Sequence, residues 1–221
     1  MSQTAYLGVI LCSLVGGVIC YFYNKPTYKS THKLLLITLL FVFLLEAVGE
    51  YTASKQINNL LLYNVCWIYI ESYLIVYYFT LLEHRKKLKR LYFVLFGVAL
   101  MWGLYNSMVI QPIQAVFQYY SLLPMGLLII GLCARFFYSV IRLEKYPQAD
   151  LLSIPHLWIV AFITFFYTEA LTLFGFMEFY AAANIEIIVA WTKLNRIIAG
   201  VMYLSFGLAF YTPHLFEEKY A

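Results

Sequence analysis

Among the ionisable side chains that fall inside long apolar stretches of this 221-residue sequence, six are charged and lie away from the cytoplasmic ends: Glu46, Glu50, Glu71, Glu169, Lys193 and Arg196. A charge at the centre of a membrane-spanning helix costs about 2.5–3.5 kcal/mol by insertion scales. Each therefore needs a partner, water or a task. Glu46 and Glu50 are four residues apart and share one helical face. Asn64 precedes Glu71 by seven residues, two helical turns, which places both on one face. Lys193 and Arg196 are three apart and adjacent on the helix surface, with Asn195 between them, and Thr168 and Thr172 flank Glu169. The expectation is that these six, with Asn64 and Asn195, converge on one ligand- or ion-binding site in the interior of a helix bundle. Four carboxylates against two cations leave an excess of two negative charges. A low-dielectric site does not hold that excess; it takes up protons, a cation or a cationic organic ligand. Glu50 is the member that interfacial water reaches most readily. The competing explanation is structural, since Glu71 or Glu169 paired with Arg196 would hold helices together with no ligand at all.

Composition sets the stage for these charges. The chain is 63% hydrophobic and 12% charged, with mean hydropathy +0.78. A water-soluble domain carries about 25% charged residues, so lipid must cover most of this surface. Spans of about 20 apolar residues mark membrane helices. They are expected at Thr4–Tyr23, Leu34–Thr52, Asn59–Leu82, Leu91–Met108, Ala115–Ile141, Ile154–Met177 and Ile185–Tyr211. The longest connector, Arg142 to Ser153, is too short to fold alone, so residues 1–221 read as a single all-α, seven-helix transmembrane domain.

Lysine and arginine orient it. Lys25, Lys29 and Lys33 follow the first span, and Arg85, Lys86, Lys87, Lys89 and Arg90 the third. Arg142 and Lys145 follow the fifth, and Lys219 lies in the C-terminal tail; the loops of the opposite side hold Lys55. Cytoplasmic loops collect positive charge, which puts the N-terminus outside and the C-terminus in the cytoplasm. On that orientation Glu46, Glu50 and Glu169 lie in the outer half of their spans, and Glu71 lies near the midplane. Met1 to Tyr6 carries no lysine or arginine, so the first span reads as a retained helix and not a cleaved signal. The basic residues follow membrane sidedness and make no stripe on a polar helix, which argues against nucleic-acid binding. The short loops suit a bacterial inner (cytoplasmic) membrane.

Of the tyrosines, Tyr6, Tyr21, Tyr23, Tyr51, Tyr92 and Tyr211 fall at span ends, where amphipathic rings favour the interface. The third span adds Tyr63, Tyr69, Tyr73, Tyr77 and Tyr78; those that lie inside need hydroxyl partners, which hints at a polar interior. A faint repeat links the two halves. Glu46 and Glu169 stand at matching places, Trp67 and Trp191 come about twenty residues later, and Glu71 and Asn195 stand four residues beyond each tryptophan. Spans one to three then repeat as five to seven around a linker helix, a 3+1+3 parallel arrangement. The cysteines Cys12, Cys20, Cys66 and Cys133 lie in apolar segments without metal spacing and read as buried thiols. Gly16-Gly17 suggests close helix packing, and Pro124 a kink. His156, alone at the cytoplasmic end of the sixth span, reads as a solvated or hydrogen-bonded histidine, and Glu178 and Glu186 as solvated residues flanking the last outer loop. No phosphate-binding glycine loop, nucleophile elbow, H-E-x-x-H motif or histidine cluster is present. A membrane-embedded enzyme stays open as a third class without a catalytic motif to support it, and no cofactor or metal is expected.

Two architectures share the layout. In length, orientation and parallel triplets the chain resembles the SWEET and PQ-loop transporters, which implies solute passage. It departs from them in that its Pro147-Gln148 pair has no counterpart in the first half. With Lys193 in the seventh span and Glu71 in the third, it also resembles the microbial rhodopsins, which implies a retinal lysine and its counter-ion. It departs from them in having Val189 four residues before the lysine, where most of that family has an acid. The function expected from the charge excess is binding or passage of a small solute, coupled to cations or protons. The alternative is a sensory or accessory subunit that docks a membrane-protein partner through its intramembrane faces and the basic Arg85–Arg90 segment.

Overall fold

The computed structural model describes residues 1–142, 145–146, 150–181 and 185–216, and within these it leaves aside the side chains at 26, 177–181, 185 and 188. Pro147, Gln148 and Lys219, and the side chain of Glu178, lie outside what is described. Among the described residues seven helices are long and apolar enough to cross a membrane. They are α1 (Gln3–Tyr23), α2 (Pro26–Ser54), α3 (Leu60–Leu82), α4 (Lys86–Val109), α5 (Tyr119–Ile141), α6 (Pro155–Ala181) and α7 (Ile185–Leu208). A single turn, Ala209–Tyr211, leads from α7 into the short α8, Thr212–Phe216.

Local chemistry sets the ends. Ser2 caps α1 by accepting from the Ala5 N–H at 3.2 Å, the usual answer to an unpaired first-turn donor. Pro26 opens α2, where its missing N–H costs nothing. The helix therefore starts well before Leu34, and Lys29 and Lys33 ride on its first turns instead of in a loop. The expectation of helix from Ala115 fails too. Residues 110–118 form an irregular segment, and α5 begins at Tyr119. Asn64 of α3 pins this segment, its Nδ2 donating to the carbonyls of Ile113 (2.8 Å) and Val116 (2.9 Å) and its Oδ1 accepting from the Gln118 N–H (3.2 Å). With those partners in place, apolar residues such as Val116 and Phe117 need no helical hydrogen bonds. Pro124 cannot donate to Tyr120, four residues earlier, and the Trp102 indole of α4 donates to that carbonyl instead, at 2.8 Å.

The helices pack in chain order, each against the next, and α7 closes the ring on α1; α2 also meets α7, and α3 also meets α5. The α1–α7 crossing is tight because glycines line it. A Cβ added to Gly17 would come within 2.9 Å of the Gly207 Cα, and one added to Gly207 would strike the Ser13 carbonyl oxygen. Ser13 ties the crossing by donating to the Tyr203 carbonyl at 2.7 Å. The middle of α3 is a π-helical turn, Cys66–Glu71, between α-helical stretches. Such a turn takes in an extra residue, which rotates the remainder of the helix by about 100° relative to an unbroken one. Asn64 and Glu71 therefore part company: Asn64 holds the 110–118 segment, and Glu71 turns to a different face.

Candidate functional site

Between α1, α2, α3, α6 and α7 lies a cavity of ≈ 260 Å³. It reaches from the end of the bundle that carries the N-terminus, marked by Gln3 and Leu60, to the level of Glu71 and Tyr203. From α7 the stripe Thr192, Asn195, Arg196, Ala199 and Tyr203 faces it, the i, i+3, i+4 spacing of one helical face. Its aromatic wall is Trp67, Phe117, Phe166 and Phe174. Phe117 and Phe174 stack at 4.6 Å between ring centroids, and Trp67 lies 5.7 Å and 5.4 Å from them. Phe117 belongs to the segment that Asn64 pins, so Asn64 shapes the cavity without lining it.

Two carboxylates line the space. Glu46 accepts at Oε2 from Gln3 Nε2 (2.9 Å) and from the Tyr63 hydroxyl (3.0 Å). Gly49 gives Tyr63 its room, since a Cβ there would meet the Tyr63 hydroxyl oxygen. Glu71 is 0% exposed. Its Oε1 accepts from the Tyr203 hydroxyl at 2.7 Å, and among the described residues its Oε2 has no hydrogen-bond partner. Asn195 Oδ1 is buried and unpartnered in the same sense. Arg196 attracts Glu46 electrostatically without forming an ion pair among the described residues. In a dry interior an ionised carboxylate with an open oxygen calls for a donor or a counter-charge.

The structure thus brings together Glu46, Glu71, Asn195 and Arg196. It does not bring the other four expected residues to the cavity wall. Asn64 is spent on the 110–118 segment. Glu50 is partly exposed on α2. Glu169 on α6 is half-buried, with one buried oxygen unpartnered among the described residues, and it does not line the cavity. Lys193 is exposed on α7, and its long stem can carry the ammonium towards the interface. The lysine–carboxylate pair implied by the retinal-protein resemblance is accordingly not formed. Sequence reasoning passed over Gln3, Tyr203 and the phenylalanines. Tyr203 had a legible signal, standing seven residues after Arg196 on the same face, whereas Gln3 and Phe117 had none. Among the described residues no three His, Cys, Asp or Glu side chains gather as metal ligands do.

The opposite end of the bundle shows the expected hydrogen bond at His156, but His156 does not stand alone. That residue is buried, and its Nδ1 shares a 2.8 Å hydrogen bond with the Tyr78 hydroxyl. His32 stacks on Phe210 at 4.0 Å, and His156 meets the same ring edge-on at 5.7 Å. Asn24 Nδ2 lies 3.0 Å from His32 Nδ1. Here polar groups and rings pack against one another between the helices. Comparison with protein-family models, with curated proteins and with solved structures returns no match for this chain.

Proposed function

We propose that the chain binds, and passes across a bacterial-type cytoplasmic membrane, a small solute whose occupancy is coupled to a cation or proton at Glu71. The observation that carries this reading is a fully buried glutamate with one oxygen unpartnered among the described residues, on the wall of a cavity. Glu46 with Arg196 sets the field beside it. The lysine and arginine distribution supports an N-terminus outside and a C-terminus inside, so the cavity leans to the outer side. The 3+1+3 repeat draws partial support from one of its paired positions, since Glu71 and Asn195 both reach the cavity while Glu169 and Trp191 do not.

Proteoliposomes carrying the purified protein and an internal pH dye test it. The expected result is solute-evoked proton movement or sodium dependence that Glu71→Ala abolishes. Absence of both, with Glu71→Ala identical to wild type in binding, ends the proposal. Co-purification of a stoichiometric second membrane protein, with no flux, would favour the partner-docking alternative.

A further inference from the structure

Resting on that reading, we infer that the solute is an organic ammonium ion that carries at least one N–H, held by Glu71 and Asn195 against the aromatic wall. The charge count comes first. Glu46 already accepts from Gln3 and Tyr63 and is attracted by Arg196. That leaves Glu71 as the carboxylate whose charge nothing else in the cavity offsets, a deficit of one positive charge.

Hydrogen bonding narrows the class. On the residues that line the cavity, the buried side-chain atoms that lack partners among the described residues are Glu71 Oε2 and Asn195 Oδ1, and as oriented both are acceptors. A ligand that satisfies them must donate. A primary or secondary ammonium does so through its N–H groups and brings the missing charge in the same atom. A quaternary ammonium brings the charge but no donor. A neutral alcohol brings a donor but no charge. A bare metal ion needs a shell of about six oxygen ligands, and the wall formed by Trp67, Phe117, Phe166 and Phe174 supplies none. That same wall favours an organic cation through the ring faces, by about 0.5–2 kcal/mol where water is excluded, and it shelters the ligand's hydrocarbon part. The volume of ≈ 260 Å³ sits just below the range of about 300–1,000 Å³ typical of small-molecule pockets, which suits an amine with a single ring.

Calorimetry on the full chain in nanodiscs, with three ring-matched probes, decides the matter. Benzylammonium is expected to bind, benzyltrimethylammonium at least tenfold more weakly, and benzyl alcohol not measurably. Glu71→Gln should remove benzylammonium binding, and Asn195→Ala should weaken it several-fold. The wild-type probe series stands even where a variant fails to fold. Equal affinity for the methylated probe, or benzylammonium binding that survives Glu71→Gln, overturns the inference. If no ammonium binds but sodium or proton uptake still depends on Glu71, the ammonium assignment falls and the coupled-site reading stands. If neither is seen, both fall.

Discussion

Two buried glutamates, Glu71 and Glu83, sit at the middle and the end of the same helix and solve opposite problems. Glu83 is 5% exposed, and both of its oxygens are occupied. Oε1 accepts from the N–H groups of His84 (2.9 Å) and Arg85 (3.0 Å), and Oε2 accepts from the Tyr92 hydroxyl (3.1 Å). It shapes the α3–α4 turn, and its acceptor capacity is directed at the protein itself. Glu71 has one oxygen engaged by Tyr203 and the other without a partner among the described residues, on a side chain that lines a cavity. Burial alone does not separate a structural carboxylate from a functional one; the number of acceptors left over does.

The comparison breaks most readily by mutation. Glu83→Ala strands two backbone N–H groups and the Tyr92 hydroxyl and is expected to cost about 3 kcal/mol, read as a large fall in Tm in nanodiscs. Glu71→Gln keeps the acceptor for Tyr203 and should stay within about 1 kcal/mol of wild type while losing cation-dependent binding. If the two exchange behaviours, so that Glu71→Gln unfolds the protein and Glu83→Ala is silent, the division of roles is wrong.

Asn64→Ala comes next. It frees the carbonyls of Ile113 and Val116 and the Gln118 N–H, for about 2 kcal/mol. Because Phe117 rides on that segment, ligand affinity should fall several-fold together with Tm. A drop in Tm with unchanged affinity would show that Phe117 keeps its place without Asn64. Gly49→Ala is smaller, about 1 kcal/mol of overpacking. It pushes Tyr63 off Glu46, so its signature is altered binding in a protein whose fold is intact, measured by the same calorimetry.

These residues also show what sequence alone could carry. The spans were legible because hydrocarbon imposes a length and a composition, and α1, α3 and α6 begin within one residue of their expected starts. The convergence of Glu46, Glu71, Asn195 and Arg196 came from the cost of buried charge. Two things were hidden. The π turn in α3 is a hydrogen-bond choice with no pattern in residue type, so the shared face assigned to Asn64 and Glu71 was an artefact of assuming an unbroken helix. The 110–118 segment is held by a distant asparagine, and its apolar residues imitate a helix start. Glu169 and Lys193 lie off the cavity wall for a related reason: depth can be counted along a sequence, but rotation about a helix axis depends on its neighbours.

The smallest effect bears on the ionisation of Glu83, which lies beyond the apolar span of α3. Burial by itself would raise its carboxyl. The Arg85 N–H, the Lys145 ammonium, the Tyr92 hydroxyl and the His84 N–H outweigh that and hold it below the ordinary value of 4.5. A carboxyl held lower in the folded protein than in the unfolded one stabilises the fold fully above the unfolded value. That contribution disappears as the pH falls through the folded value. Glu83→Gln has no such group, so the stability gap between wild type and this variant should be constant near neutrality and narrow as the pH drops below about 4.5. Thermal melts of the two proteins across that range measure it. A gap that widens on acidification would mean that burial dominates after all, and Glu83 would then stand closer to Glu71 than its hydrogen bonds indicate.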